Sequence, residues 1–310
     1  MRAIGEPREA EETELAELLA EVRRIDVQSR RLVTAVLSGG YVSAFKGAGI
    51  EFEEVREYVD GDDPRAVDWN VTARMGRPFV KRFVDERERT VTFLLDLSAS
   101  MTGGFGIWSA RQTAARVVAC LAMAAVHNGD KVGFTAFGSR VTSHVPAKKG
   151  ASHALRIVRD CLALPPEEGR TDLVPALEHA TRTLRHGAVV FLVSDFLADG
   201  FETALSACAR RHDVVAVRIG FPELAPLARG LVRVRDPEGG AVTVVDASSA
   251  RVRGAYEARV RAWRDRTEAG LRRAQVDLLD VPVPRAPGKD LVAGPILRFF
   301  RMRELRGAKR

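Results

Sequence analysis

The chain has 310 residues, which allows about two domains or one large one and leaves ample length for a buried core. Hydrophobic residues make up 46% and charged residues 29%, a balance that excludes a wholly disordered chain. The net charge is +7, but aromatics are only 6% and basic residues alternate with acidic ones, as in Arg82-Phe83-Val84-Asp85-Glu86-Arg87-Glu88-Arg89, so no base-stacking surface or basic stripe is indicated and nucleic acid is not an expected partner.

Three cysteines, Cys120, Cys161 and Cys208, stand in apolar stretches with no C-x-x-C spacing. They read as buried reduced thiols rather than a disulfide framework or a zinc site. The longest apolar run, residues 117–126, falls far short of the roughly 18–20 residues a membrane helix needs. An acidic N-terminus without a basic n-region argues against a secretory signal, so the expected location is cytoplasmic.

Residues 1–40 show Leu15, Leu18, Leu19, Val22, Ile25, Leu32, Val33 and Val36 at three- and four-residue steps, ended by Gly39-Gly40, which predicts an amphipathic helix. Residues 41–89 read as a small β-rich module, with strands near 41–45, 52–59 and 79–84 and a short helix over 64–74. Its Tyr58, Arg65, Asp68, Trp69 and Arg74 suggest a buried polar cluster pinning the module to its neighbour.

From residue 90 a regular alternation sets in. Strands are expected over 90–97, 131–138, 188–193, 214–219 and 276–281, with an edge strand over 141–146. Helices are expected over 109–128, 152–164, 173–185, 200–211, 251–274 and 289–305, the first carrying a Ser109-x-x-Gln112 capping box and an Asn128-Gly129 stop. Runs apolar on both faces, alternating with helices, predict an α/β domain over 90–310: a doubly wound, mostly parallel sheet covered by helices on both sides. Residues 231–245, broken by Asp236-Pro237-Glu238-Gly239-Gly240, read as an inserted β-hairpin.

Open parallel sheets bind ligands beyond the carboxyl ends of their strands. The loops there carry Asp96-Leu97-Ser98-Ala99-Ser100, Gly169-Arg170-Thr171-Asp172 and Ser194-Asp195-Phe196. Asp96, Ser98, Ser100, Thr171 and Asp195 offer hard oxygen donors only, a set for Mg²⁺ or Mn²⁺ rather than zinc. Neutral hydroxyls leave charge on such an ion, so an acidic side chain of a partner can complete its coordination. The six histidines stand at no metal-ligand spacing, and read as surface or helix-end residues.

The D-x-S-x-S, the later G-x-T-D and the aspartate after a buried strand resemble the metal-ion-dependent adhesion site (MIDAS) of von Willebrand factor A domains. By that resemblance Ser98 and Ser100 coordinate the ion directly, Thr171 does so directly or through water, and Asp96 and Asp195 hold waters or the ion. Residues 47–52, Arg56-Glu57-Tyr58, Gly61-Asp62-Asp63-Pro64-Arg65, Asp68-Trp69 and Ala73-Arg74 resemble the signature of the DUF58 family, in which it precedes a von Willebrand A-like domain. That resemblance implies a bacterial, non-enzymatic interaction protein, a partner or adaptor of a MoxR-type AAA+ ATPase in maturation or assembly of a client protein. Many family members carry N-terminal membrane segments, and this chain shows no such run. A monomer is expected, since no apolar stripe in the sequence stands unexplained.

The competing expectation is a Mg²⁺-dependent phosphatase with Asp96 as nucleophile. Against it, a haloacid-dehalogenase-like pattern needs a second aspartate where this chain has Ser98, and no phosphate-binding P-loop occurs.

Overall fold

The computed structural model describes residues 50–60, 62–63, 65, 67–85, 88–104, 106–167, 169–221, 229–236, 239–288 and 290–307. The helix expected over 1–40 and the strand near 41–45 lie outside the described residues.

The first unit is a strand pair. β1 (Ile50–Glu57) runs antiparallel to β2 (Phe79–Asp85), with α1 (Trp69–Met75) between them. The helix starts later than the composition indicated because Asp68 caps it, its carboxylate accepting from the N–H groups of Asn70 and Val71. The expected buried polar cluster does not form. Trp69 is 72% exposed and Arg65 and Arg74 are exposed, while Tyr58 and Arg56 bond locally to Asp62. Arg56 and Tyr58 thereby brace the turn at Asp62.

The main unit is a six-stranded sheet. Its strands are β3 (Thr90–Asp96), β4 (Lys131–Phe137), β5 (Val141–Lys148), β6 (Val189–Ser194), β7 (Asp213–Gly220) and β10 (Asp277–Pro282), in the order β10-β7-β6-β3-β4-β5. All pairings are parallel except β4 with β5, so the one antiparallel strand closes an edge. β8 (Leu231–Arg235) and β9 (Val242–Asp246) form a separate antiparallel hairpin between β7 and the next helix.

Alternation along the strands divides the core. Phe93 and Leu95 face one side with Phe191 and Val193, against helices α2 (Ala110–His127), α3 (Ala151–Ala163) and α7 (Ala293–Gly307). Leu94, Val190 and Leu192 face the other, against α4 (Val174–Thr183), α5 (Glu202–Ala209) and α6 (Ala250–Arg273). Phe93 and Phe191, paired in register, stack with ring centroids 5.4 Å apart. Each fully buried side chain of this size contributes about 1.5–3 kcal/mol. The sequence-predicted capping box at the start of α2 is present, with Ser109 and Gln112 each serving the other's backbone N–H. All three cysteines are free and buried.

The terminal helix is tied down by charge as well as by Phe299 and Phe300. Arg303 bonds Asp213 at 2.8 Å and Asp277 at 3.0 Å, and Arg306 bonds Asp277 at 2.8 Å. Among the described residues no helix is long and apolar enough to cross a membrane.

Candidate metal centre

The strand order places a ligand crevice. From β3 the chain builds outward through β4 and β5, then returns to add β6, β7 and β10 on the other side. The connections after β3 and β6 therefore diverge at their carboxyl ends, and the gap between those ends is where doubly wound sheets hold ligands.

Asp96 is the last residue of β3 and is fully buried. Its Oδ1 accepts from the Ser98 N–H at 2.8 Å, folding the chain into the 3-10 turn over Ala99–Thr102. Its Oδ2 accepts from the Ser194 hydroxyl, the last residue of β6, at 2.6 Å. The Ser100 hydroxyl donates to Asp195 Oδ2 at 2.6 Å, and the Ser98 and Ser100 oxygens are 3.0 Å apart. A hydroxyl has one proton. With Ser100 donating to Asp195, the Ser100 oxygen keeps its lone pairs toward Ser98, whose own hydroxyl lies between Ser100 and Asp96.

The β6 side is locked in the same way. Asp195 Oδ1 accepts from the Leu197 N–H at 2.9 Å and Ser194 Oγ from the Phe196 N–H at 3.0 Å. Phe196 takes a positive φ of 60°, a conformation costly for a bulky residue. Its carbonyl accepts from the Trp263 indole of α6 at 2.9 Å, and its ring is buried in the core.

The third loop is tied at both ends. The Glu167 N–H donates to Leu97 O at 2.8 Å, and the Asp172 N–H to Gly138 O at 2.9 Å. This ties the loop to the Leu97–Ser98 segment at Glu167 and to Gly138 at Asp172, with Thr171, half-buried, between the two ties. Gly138 is required by that approach, since a Cβ there would lie 2.5 Å from Glu167 Cβ.

The structure thus joins Asp96, Ser98, Ser100 and Asp195 in one buried hydrogen-bonded ring, with Thr171 on the neighbouring loop. Ser194 belongs to the ring as well, and sequence reasoning passed over it. Its only signal was its place beside Asp195 at the end of a buried strand.

Burial first, and then the Asp195 carboxylate, push the Asp96 carboxyl up to about 7, against the bonds from Ser194 and Ser98. Two buried carboxylates in mutual repulsion, ringed by serine hydroxyls, are a donor set that fits a divalent cation taking oxygen ligands. Among the described residues no group of three or more His, Cys, Asp or Glu forms a metal cluster.

The sheet order, the antiparallel edge strand and the position of this ring define a von Willebrand A-like α/β domain. The chain belongs to the DUF58 family, whose model, described as a protein of unknown function, matches residues 54–266. It is 30% identical over 229 residues to the uncharacterized protein Rv1480 of Mycobacterium tuberculosis, covering 73% of this chain and 72% of that one. Among solved structures it is similar to the conserved hypothetical protein BatB from Bacteroides thetaiotaomicron, at 20% identity, 72% and 100% coverage and a TM-score of 0.48. It is also similar to proximal thread matrix protein 1 from the mussel byssus in a form with a zinc-occupied MIDAS motif, at 18% identity, 43% and 38% coverage and a TM-score of 0.35.

Proposed function

We propose that this protein is a non-enzymatic, metal-dependent protein-interaction module, acting in the cytoplasm as partner or adaptor of a MoxR-type AAA+ ATPase, of its client protein, or of both. The observation that carries this reading is the ring of Asp96, Ser98, Ser100, Ser194 and Asp195 at the crevice between β3 and β6. Ser98, Ser100 and Thr171 would hold Mg²⁺ or Mn²⁺, with Asp96 and Asp195 balancing its charge. A divalent cation bound there supplies a Lewis-acidic position that a partner's carboxylate can take. Asp96 holds the Ser98 loop through one oxygen and Ser194 through the other, so the aspartate fixes the Ser98–Ser100 turn against the end of β6. The ATPase as partner rests on the family resemblance alone.

The same geometry weighs against Asp96 as a nucleophile. It is fully buried, and both its oxygens already accept hydrogen bonds.

The test is a quantitative pull-down from native cytosol with wild type and Asp96→Ala, each in Mg²⁺ and in EDTA. The expected result is an AAA+ ATPase or its client recovered by wild type in Mg²⁺ alone. Equal recovery by both proteins in EDTA would overturn the metal-dependent contact, and absence of any ATPase would remove the adaptor role.

A further inference from the structure

Six histidines are scattered through the sequence, and the fold brings two of them together. His144 lies on the edge strand β5 and His179 on α4, thirty-five residues later. His179 Nε2 is 3.2 Å from His144 Nδ1, and the rings meet edge to face with centroids 4.7 Å apart. Thr135 Oγ1 on β4 is 3.0 Å from that same His144 nitrogen. A second imidazole nitrogen and a hydroxyl oxygen thus both approach His144 Nδ1.

As hydrogen bonding alone this arrangement is overcommitted. A neutral imidazole nitrogen has one proton or one lone pair, and here it faces two groups. The separation is instead that of two ligands on one ion. Nitrogens bound at the zinc–imidazole distance of ~2.0–2.1 Å in a tetrahedron stand about 3.3–3.4 Å apart. The spot is open to ions, since His144 is exposed and His179 half-buried. Burial first, then His144 and Arg182, lower His179 from the ordinary imidazole value. Arg182 is exposed, so its charge is screened by solvent and salt.

The chemistry differs from that of the oxygen ring. Two imidazoles select a borderline transition ion, Zn²⁺ or its analogues, and not Mg²⁺. The place differs too: His144 pairs with Thr135, which pairs with Leu94, two residues before Asp96 and two strands away. We propose that His144 and His179 form a second metal site, a nitrogen-ligated clip for Zn²⁺ that joins the edge strand β5 to α4. Water and Thr135 complete the shell. The clip fastens the helix that directly follows the Thr171 loop, and it covers a strand that otherwise closes the sheet alone.

The test uses the full chain, stripped with chelator and titrated with Zn²⁺ by calorimetry, in the Asp96→Ala background so that the oxygen ring does not compete. One saturable zinc site is expected there. His144→Ala and His179→Ala should each weaken it at least tenfold, and the double variant should lose both the binding heat and the zinc-induced rise in Tm. Co²⁺ should give visible ligand-field bands in the Asp96→Ala protein and none in the double variant. Matching far-ultraviolet circular dichroism of the variants separates lost binding from lost folding. Zinc binding unchanged by both histidine substitutions, or no saturable site in Asp96→Ala, overturns the proposal.

Discussion

Ser100 and Asp195 stand ninety-five residues apart in the chain and meet in a 2.6 Å hydrogen bond between the ends of β3 and β6. That contact makes the two halves of the sheet share one polar ring, so the ring reports on both.

Adding Mg²⁺ should therefore stabilise the whole domain. At a hundredfold excess over the dissociation constant the gain is about 2.7 kcal/mol. Thermal melts of wild type should shift upward with Mg²⁺, and those of Asp195→Ala should not move.

Ser194→Ala should act on the site without touching any of the residues singled out from the sequence. It leaves Asp96 Oδ2 buried without its donor. A cost of about 1–3 kcal/mol is expected. Urea denaturation checks the stability, and calorimetry with Mn²⁺ should show weaker binding than wild type.

Gly138→Ala should disturb the site from outside it. The added methyl would meet Glu167 Cβ at 2.5 Å and push away the loop that carries Thr171. Overpacking of this kind costs about 1–3 kcal/mol. Amide exchange in residues 167–173 should quicken relative to wild type, while exchange within β6 stays unchanged.

His212 should make stability depend on pH. It is buried, and neither ring nitrogen has a hydrogen-bond partner among the described residues. Burial first, then the charges of Arg211 and His186, lower it from 6.5 to about 4. The unfolded chain therefore takes up this proton at higher pH than the folded one. Stability from this residue is fully present above pH about 6.5 and declines as pH falls toward about 4. The Asp96 carboxyl, raised to about 7, acts in the opposite sense across the same window in both proteins. The check is therefore the difference: the urea midpoint of His212→Leu relative to wild type should rise as pH falls from about 6.5 toward about 4.

Much of the domain was legible from the sequence because its signals are local. Thr90–Asp96 and Val189–Ser194 are apolar on both faces, and only a strand covered on both sides reads that way. Ser109 and Gln112 cap α2 through neighbours three residues apart. The D-x-S-x-S loop is local as well. What stayed hidden depends on distant contacts: Ser194 matters because β6 lies beside β3, and His144 meets His179 because α4 packs over β4 and β5. Trp69 misled because an aromatic among charges suggests burial, while the helix it begins buries none of its side chains. The hairpin also removes the premise for expecting a monomer, since Leu231 is 78% and Val244 63% exposed.

The Trp263 indole and the Phe196 carbonyl give α6 a fulcrum. On one side of it Thr267, Gly270 and Leu271 are sunk in the core. On the other, residues 250–259 bury no side chain and lead back to the β8–β9 hairpin. The helix that follows the hairpin is thus bonded directly to the strained Phe196 backbone, one residue from Asp195, so the hairpin and the crevice share one structural support.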